Sequence, residues 1–206
     1  MPDRVRVAVI DSGVYPTHPH IVPTRLLPGV AIAADGAIDH GAGATLDRLG
    51  HGTAVTAAIQ ELAPEADILP IRVFRDGLRA SARALTEAIV WAAGQGAQVI
   101  NCSLGTINPA HAALFAEAVA RAGSARIVAP WTGPNDAPCW PGQCAGVIRV
   151  GLDWDLPRGV MRLDDGLHYA SGYPRPIPGV EQRRNLHGIS FATAQVSGLF
   201  AAERIA

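Results

Sequence analysis

Val5-Arg6-Val7-Ala8-Val9-Ile10, followed by Asp11-Ser12-Gly13, is the stretch on which the fold turns. A β-branched, largely apolar run of this length reads as a strand covered on both faces, the pattern of a parallel sheet. It ends in an acidic residue and a turn. An Asp there is either an Asx-turn that closes the strand or a functional group at the edge where open α/β sheets place their ligands.

Working outward, the same alternation of strand and helix repeats. Residues 15–50 are rich in Pro, Gly, Ala and His, with one short strand candidate at Val30-Ala31-Ile32. Gly50-His51-Gly52-Thr53 then opens an Ala-rich helix. Asp67 to Phe74 is a second strand, and Ser81 caps a helix running to Ala93 with Gly94 as its stop. Ala97 to Ser103 is a third strand, Pro109 to Ala122 a helix, Arg126 to Ala129 a fourth strand and Gly146 to Val150 a fifth. Residues 169–185 read as loop. Gly188-Ile189-Ser190 is a tight turn feeding a helix of small residues from Ser190 to about Arg204, whose Ala, Ser and Gly positions suit a buried central element. The reading is α/β: a three-layer, doubly wound, mostly parallel sheet with helices on both faces. No linker divides the chain, so a single domain over residues 1–206 is expected.

Composition narrows the chemistry. The chain has 206 residues, 49% hydrophobic and 17% charged, and its net charge is -1. That balance provides no electrostatic footprint for nucleic acid or an anionic membrane. All 17 basic residues are arginines, which excludes a P-loop, a Schiff-base lysine and a Ser-Lys dyad. No Gly-x-Gly-x-x-Gly follows the first strand, so a dinucleotide cofactor is not expected. His18-Pro19-His20 lacks partners at metal-ligand spacing and reads as a surface turn. Cys139 and Cys144 flank a Trp-Pro-Gly turn, a spacing open to a local disulfide or to free thiols. Without a signal-peptide pattern the expected location is cytoplasmic.

Asp11-Ser12-Gly13, His51-Gly52-Thr53 and Gly188-Ile189-Ser190-Phe191-Ala192, in the chain order Asp, His, Ser, together resemble the subtilisin-like serine proteases, the subtilases. The intervening Asp67–Phe74, Glu87–Ala92 and Val99–Gly105 segments and His18-Pro19 match the family too. The resemblance implies that Ser190 attacks a peptide carbonyl, that His51 takes and returns the proton, and that Asp11 orients the imidazole. It implies an asparagine oxyanion donor at Asn135, with Asn101 as the alternative. It also implies an extended peptide or protein substrate held by Ser103, Leu104 and Gly105 on one side and by Gly77 and Arg79 on the other, with Gly133 near the pocket. No cofactor and no metal are expected, and the oligomeric state is open.

Several positions depart from the family pattern. Ile189 replaces Thr, Phe191 replaces Met, Gln195 replaces Pro, Ala54 replaces a second His, and Pro134 intervenes between Gly133 and Asn135. The connection to Asp67 leaves no room for a calcium loop, and the first strand starts close to Met1. Beside the resemblance, these features lead to the expectation of a minimal subtilase, calcium-free and intracellular, without a pro-domain. Three functions remain open at this point: a serine endopeptidase dedicated to peptide processing, a transpeptidase or macrocyclase using the same acyl-enzyme, and a non-catalytic peptide-binding protein. Trp131 is expected to wall the cleft.

Overall fold

The first apolar run forms β1, Arg6–Asp11, and pairs in parallel on both sides. The computed structural model describes residues 4–203. In chain order the strands are β1, β2 (Val30–Ile32), β3 (Ile38–Asp39), β4 (Asp67–Arg72), β5 (Val99–Cys102), β6 (Arg126–Pro130), β7 (Ile148–Leu152), β8 (Met161–Asp164) and β9 (Leu167–Ala170). They form one sheet in the order β3-β2-β4-β1-β5-β6-β7-β9-β8. The sheet is parallel except for the antiparallel pairs β2–β3 and β8–β9 at its two edges.

Four α-helices make the outer layers: α1 (His51–Leu62), α2 (Ala82–Gly94), α3 (Ala112–Arg121) and α4 (Ile189–Glu203). Leu85, Ala88, Ile89 and Ala92 of α2 and Phe115 and Ala118 of α3 join one face of the sheet in a buried cluster. On the other face Val55, Ala58 and Ile59 of α1 meet Phe191, Ala192, Ala194 and Val196 of α4 over Val7, Val9 and Val99. Three layers result, with apolar side chains on both sheet faces. Phe191 is 1% exposed; burying such a side chain contributes about 1.5–3 kcal/mol.

The two helices of the second face approach closely because α4 is built of small residues. A Cβ on Gly198 would sit 2.9 Å from the Leu62 Cβ and 3.3 Å from the Ile59 carbonyl oxygen. The strand order reverses around β1, with β4 on one side and β5 on the other. Ile10 lies opposite Cys102, so Asp11 and Ser103 leave adjacent strands at the same sheet edge, where such a reversal opens a crevice.

Some boundaries differ from the sequence reading. β1 extends through Asp11, and the fifth predicted strand begins at Ile148, after a turn at Gly146 with φ 82°. The helix expected from Pro109 starts as a 3-10 turn, Pro109–His111, capped by the Asn108 side chain, before α3 proper. The β8–β9 hairpin has no counterpart in the sequence reading, and β9 overlaps the start of the predicted 169–185 loop. Its turn, Asp165-Gly166, has φ 46° and 70°, the left-handed pair that twists two strands together. The expected end of the last helix, about Arg204, lies outside the described residues.

Candidate active site

Asp11 closes β1 and is fully buried. Its Oδ1 accepts a hydrogen bond from the Ser12 N–H at 2.7 Å and lies 2.8 Å from His51 Nδ1. Its Oδ2 is buried with no partner among the described residues. The strand end therefore provides both the Asx-type turn and a contact to the imidazole. The contact is held from the backbone: the Ser12 hydroxyl accepts from Gly52 N–H at 2.8 Å, tying the first turn of α1 to the end of β1. Only glycine fits there, since a Cβ at residue 52 would meet the Gly13 carbonyl oxygen at 2.2 Å.

Asp47, which the sequence reading did not single out, fixes the same helix start. Its Oδ1 accepts from Leu49 N–H and Gly50 N–H, and its Oδ2 from the Thr53 N–H and hydroxyl, at 2.6–2.9 Å. Burial pushes its pKa up, but these hydrogen bonds, led by Thr53, outweigh burial and bring it below the ordinary carboxylate value. The signal in the sequence was an Asp just ahead of a glycine at a helix start. Burial also lowers the His51 pKa. The hydrogen bond and charge of Asp11, with the charge of Asp47, more than reverse this, so His51 lies above its ordinary value.

Ser190 is in the first turn of α4, entered through Gly188 at φ 138°. Its hydroxyl donates to the Ser103 carbonyl at 3.0 Å, and the Ser103 hydroxyl donates back to the Ser190 carbonyl at 3.3 Å. The Phe191 ring lies 5.6 Å from the His51 ring, centroid to centroid, so Ser190 and His51 belong to neighbouring surfaces. The Ser190 hydroxyl is thus turned to the β5 edge.

Asn101 is fully buried between these elements. Its Nδ2 donates to the Ser103 hydroxyl at 2.8 Å and its Oδ1 accepts from the Ser197 hydroxyl at 2.9 Å. Its amide is committed to joining β5 and α4. Asn135 is exposed, in a left-handed turn conformation at φ 55° and ψ 36°. Its neighbours Pro134 and Asp136, with Gly133, Trp131 and Ile189, line a hollow of about 650 Å³ next to the α4 start. Trp131 is therefore on that wall, whereas Trp140 packs partly buried against the core.

Leu104 and Gly105 open onto a second hollow, of about 640 Å³, shared with Arg79. Gly77 lines a different one, with Asp76 and Ile32. The structure therefore brings Arg79, but not Gly77, to the Leu104–Gly105 edge. Gly105 abuts the Trp140 carbonyl and Cys139 sulfur, where a Cβ would fall at 2.4 Å and 2.6 Å. Cys102, Cys139 and Cys144 are free and buried. Burial pushes the Cys139 thiol up to about 11 and raises Cys102 and Cys144 as well. Gln195 is fully buried: its Nε2 donates to the Ser171 and Tyr173 carbonyls, and its Oε1 accepts from Gly159 N–H.

Among the described residues no group of three or more His, Cys, Asp or Glu side chains is arranged to hold a metal ion, and no helix is long and apolar enough to cross a membrane. His18 and His20 stack edge to face at 5.1 Å, and the His20 N–H donates to His18 Nδ1 within their turn.

Comparison with known proteins gives a consistent pattern. A family model described as the subtilase family matches residues 3–152. The M-protease of Shouchella clausii (strain KSM-K16) is 27% identical over 218 aligned residues, covering 96% of this chain and 53% of that protein. Subtilisin BL of Lederbergia lenta is 27% identical over 218, with 96% and 75% covered. The chain thus spans about half the length of the first relative and three quarters of the second. Among solved structures, the nisin leader peptidase from Lactococcus lactis superposes with a TM-score of 0.73 at 20% identity, over 97% of this chain and 77% of that one. The prenylagaramide maturation protease superposes at 0.69 and 24% identity, over 96% and 74%. At these identities the superpositions establish the α/β fold.

Proposed function

As the chain belongs to the subtilase family, we propose that it is a serine endopeptidase that cleaves an extended peptide through an acyl-enzyme on Ser190. The observation that carries this reading is the 2.8 Å contact of the buried Asp11 carboxylate with His51 Nδ1 beside the start of α4. In the proposed reaction the Ser190 hydroxyl rotates from the Ser103 carbonyl to His51 Nε2, which takes its proton as Oγ attacks the scissile carbonyl. Asp11 keeps the other imidazole proton on Nδ1 and stabilises the cation that forms. The same proton then goes to the leaving amine, and water, activated by His51, releases the acyl group.

The Ser190 N–H belongs to the first turn of α4, where N–H groups have no partner within the helix. It serves as one oxyanion donor. The Asn135 side-chain amide serves as the second when the 133–136 turn closes over bound substrate. Asn101 is left to its bracing role, because both ends of its amide are engaged by Ser103 and Ser197. The Ser103 carbonyl, freed when Ser190 turns to His51, becomes an acceptor for a substrate N–H, and the edge through Gly105 receives the chain in the manner of an added strand.

The finer reading is a peptide-processing role, in which one precursor is cut at one place. The likeness in fold to a leader peptidase and a maturation protease supports it. A fluorophosphonate probe tests the core of the proposal. Mass spectrometry of the labelled chain is expected to find the adduct on Ser190 and none on the Ser190→Ala protein. An adduct on another residue would overturn the assignment.

A further inference from the structure

Beside the site lies a cavity of about 280 Å³ that the reaction above does not use. Its wall includes Gly50, Thr53 and Ala54, which flank His51 at the start of α1, so it lies beside that first turn. The loops that build it are not those that carry Arg79 and Ser103–Gly105. Ala54 and the buried Ala57 give it an apolar floor. Ala54 is one of the departures from the family pattern, and its short side chain leaves this space open.

The mouth is cationic. Arg48 and Arg175 line it, with His18 and His20 between loops. Arg48 is exposed and has no ion pair among the described residues. Arg175 reaches Glu61 only at 4.0 Å, and that carboxylate is already in close contact with Arg158. Asp47 is the one carboxylate in the lining, and both its oxygens are occupied by donors from residues 49–53. The field registers on His20: burial first, then Arg175, His18 and Arg158, lower its pKa against the opposing pull of Glu61.

We propose that this cavity is a specificity site for an acidic side chain of the peptide substrate. The carboxylate meets Arg48 and Arg175 at the mouth while the methylene stem rests on Ala54 and Ala57. Guanidinium groups with spare donors are suited to a planar carboxylate, and the apolar floor suits the aliphatic stem behind it. The inference rests on the protease reading, since it treats the neighbouring cleft as the path of a peptide. Its occupant is a substrate Glu or Asp within a few residues of the scissile bond.

The test measures binding and so does not depend on turnover. Fluorescein-tagged decapeptides selected for binding to the Ser190→Ala protein are scanned with Glu and with Gln at each position. One position is expected to show about tenfold tighter binding for Glu, the scale of a charge-assisted hydrogen bond. That preference should fall to within twofold in Arg48→Gln, in Arg175→Gln, and in Ala54→Leu, which fills the floor. Arg48 is exposed, so its substitution leaves folding intact and keeps the test decisive. Absence of a Glu preference at every position, or its persistence in all three variants, would overturn the proposal. Fluorophosphonate labelling of Ser190 is read separately: labelling without a Glu preference refutes the cavity alone, and a Glu preference without labelling refutes the protease reading.

Discussion

Replacing Gln195 by Ala tests how the unusual neighbourhood of Ser190 is held. Gln195 stands where the family usually has proline, and here it makes three hydrogen bonds: Nε2 to the Ser171 carbonyl at 2.7 Å and the Tyr173 carbonyl at 3.1 Å, and Oε1 from Gly159 N–H at 2.7 Å. Each neutral bond lost in a buried place costs about 1 kcal/mol, and the vacated volume adds a cavity cost. Together they predict a loss of roughly 3–5 kcal/mol in urea denaturation, which for a chain of this size lowers Tm by roughly 10 °C. Gln195→Met keeps the volume and isolates the polar share, roughly 2–3 kcal/mol. The effect should reach the active site. Between the two anchored carbonyls lies Gly172, whose own carbonyl accepts from Gly188 N–H at 2.8 Å at the entrance to the Ser190 turn. Loosening that loop misplaces the hydroxyl, and kcat should fall roughly ten- to a hundredfold with little change in KM. A loss below about 1 kcal/mol for both variants would refute the reasoning, because one buried and two partly buried groups cannot lose their partner so cheaply.

Other consequences are as direct. Because His51 is held above its ordinary 6.5, kcat/KM should fall on acidification with a midpoint above that value, and Asp47→Asn, which removes one raising charge, should move the midpoint down; a midpoint below 6.5 in the unmodified enzyme would contradict the assigned environment. The same shift carries a sign for stability: the Asp11 pair favours imidazolium, so its stabilisation is complete below about pH 6.5 and is lost as pH rises through the folded-state value, which a comparison of Tm against pH for wild type and His51→Gln will show. Gly52→Ala forces a Cβ to 2.2 Å from the Gly13 carbonyl and should cost roughly 2 kcal/mol or more by strain while depressing kcat; calorimetry showing an unchanged Tm would mean that the β1–α1 junction is looser than described. Excess chelator should leave Tm unchanged, and a drop of several degrees would reveal a bound metal.

Much of this arrangement was legible in the residues. β1 declares itself because a sheet interior requires an unbroken apolar run, and the Ser81 cap of α2 because a helix start rewards one side-chain oxygen. Asp11, His51 and Ser190 stood out through their order and flanking glycines. The rest depended on tertiary contacts. Met161–Asp164 exposes Leu163 to 62% and has no strong alternation, so only its Asp-Gly turn hinted at the β8–β9 hairpin. Asp47 looks like any loop acid until four donors converge on it. Gln195 reads in the sequence only as a replacement for proline, whereas the fold uses its amide to tie two loops to α4. The cavity over Ala54 is invisible in one dimension, since its walls come from segments more than a hundred residues apart.

The central claim is that Ser190, His51 and Asp11 act as one unit, and residual kcat/KM in single and combined alanine variants tests it most directly. Groups that work in a single step lose nearly everything on the first removal. Ser190→Ala, His51→Ala and the double variant should therefore share one floor on a cleavable peptide, roughly a millionfold below the unmodified enzyme. Losses that multiply from variant to variant, or a Ser190→Ala protein that turns over well above that floor, would contradict it.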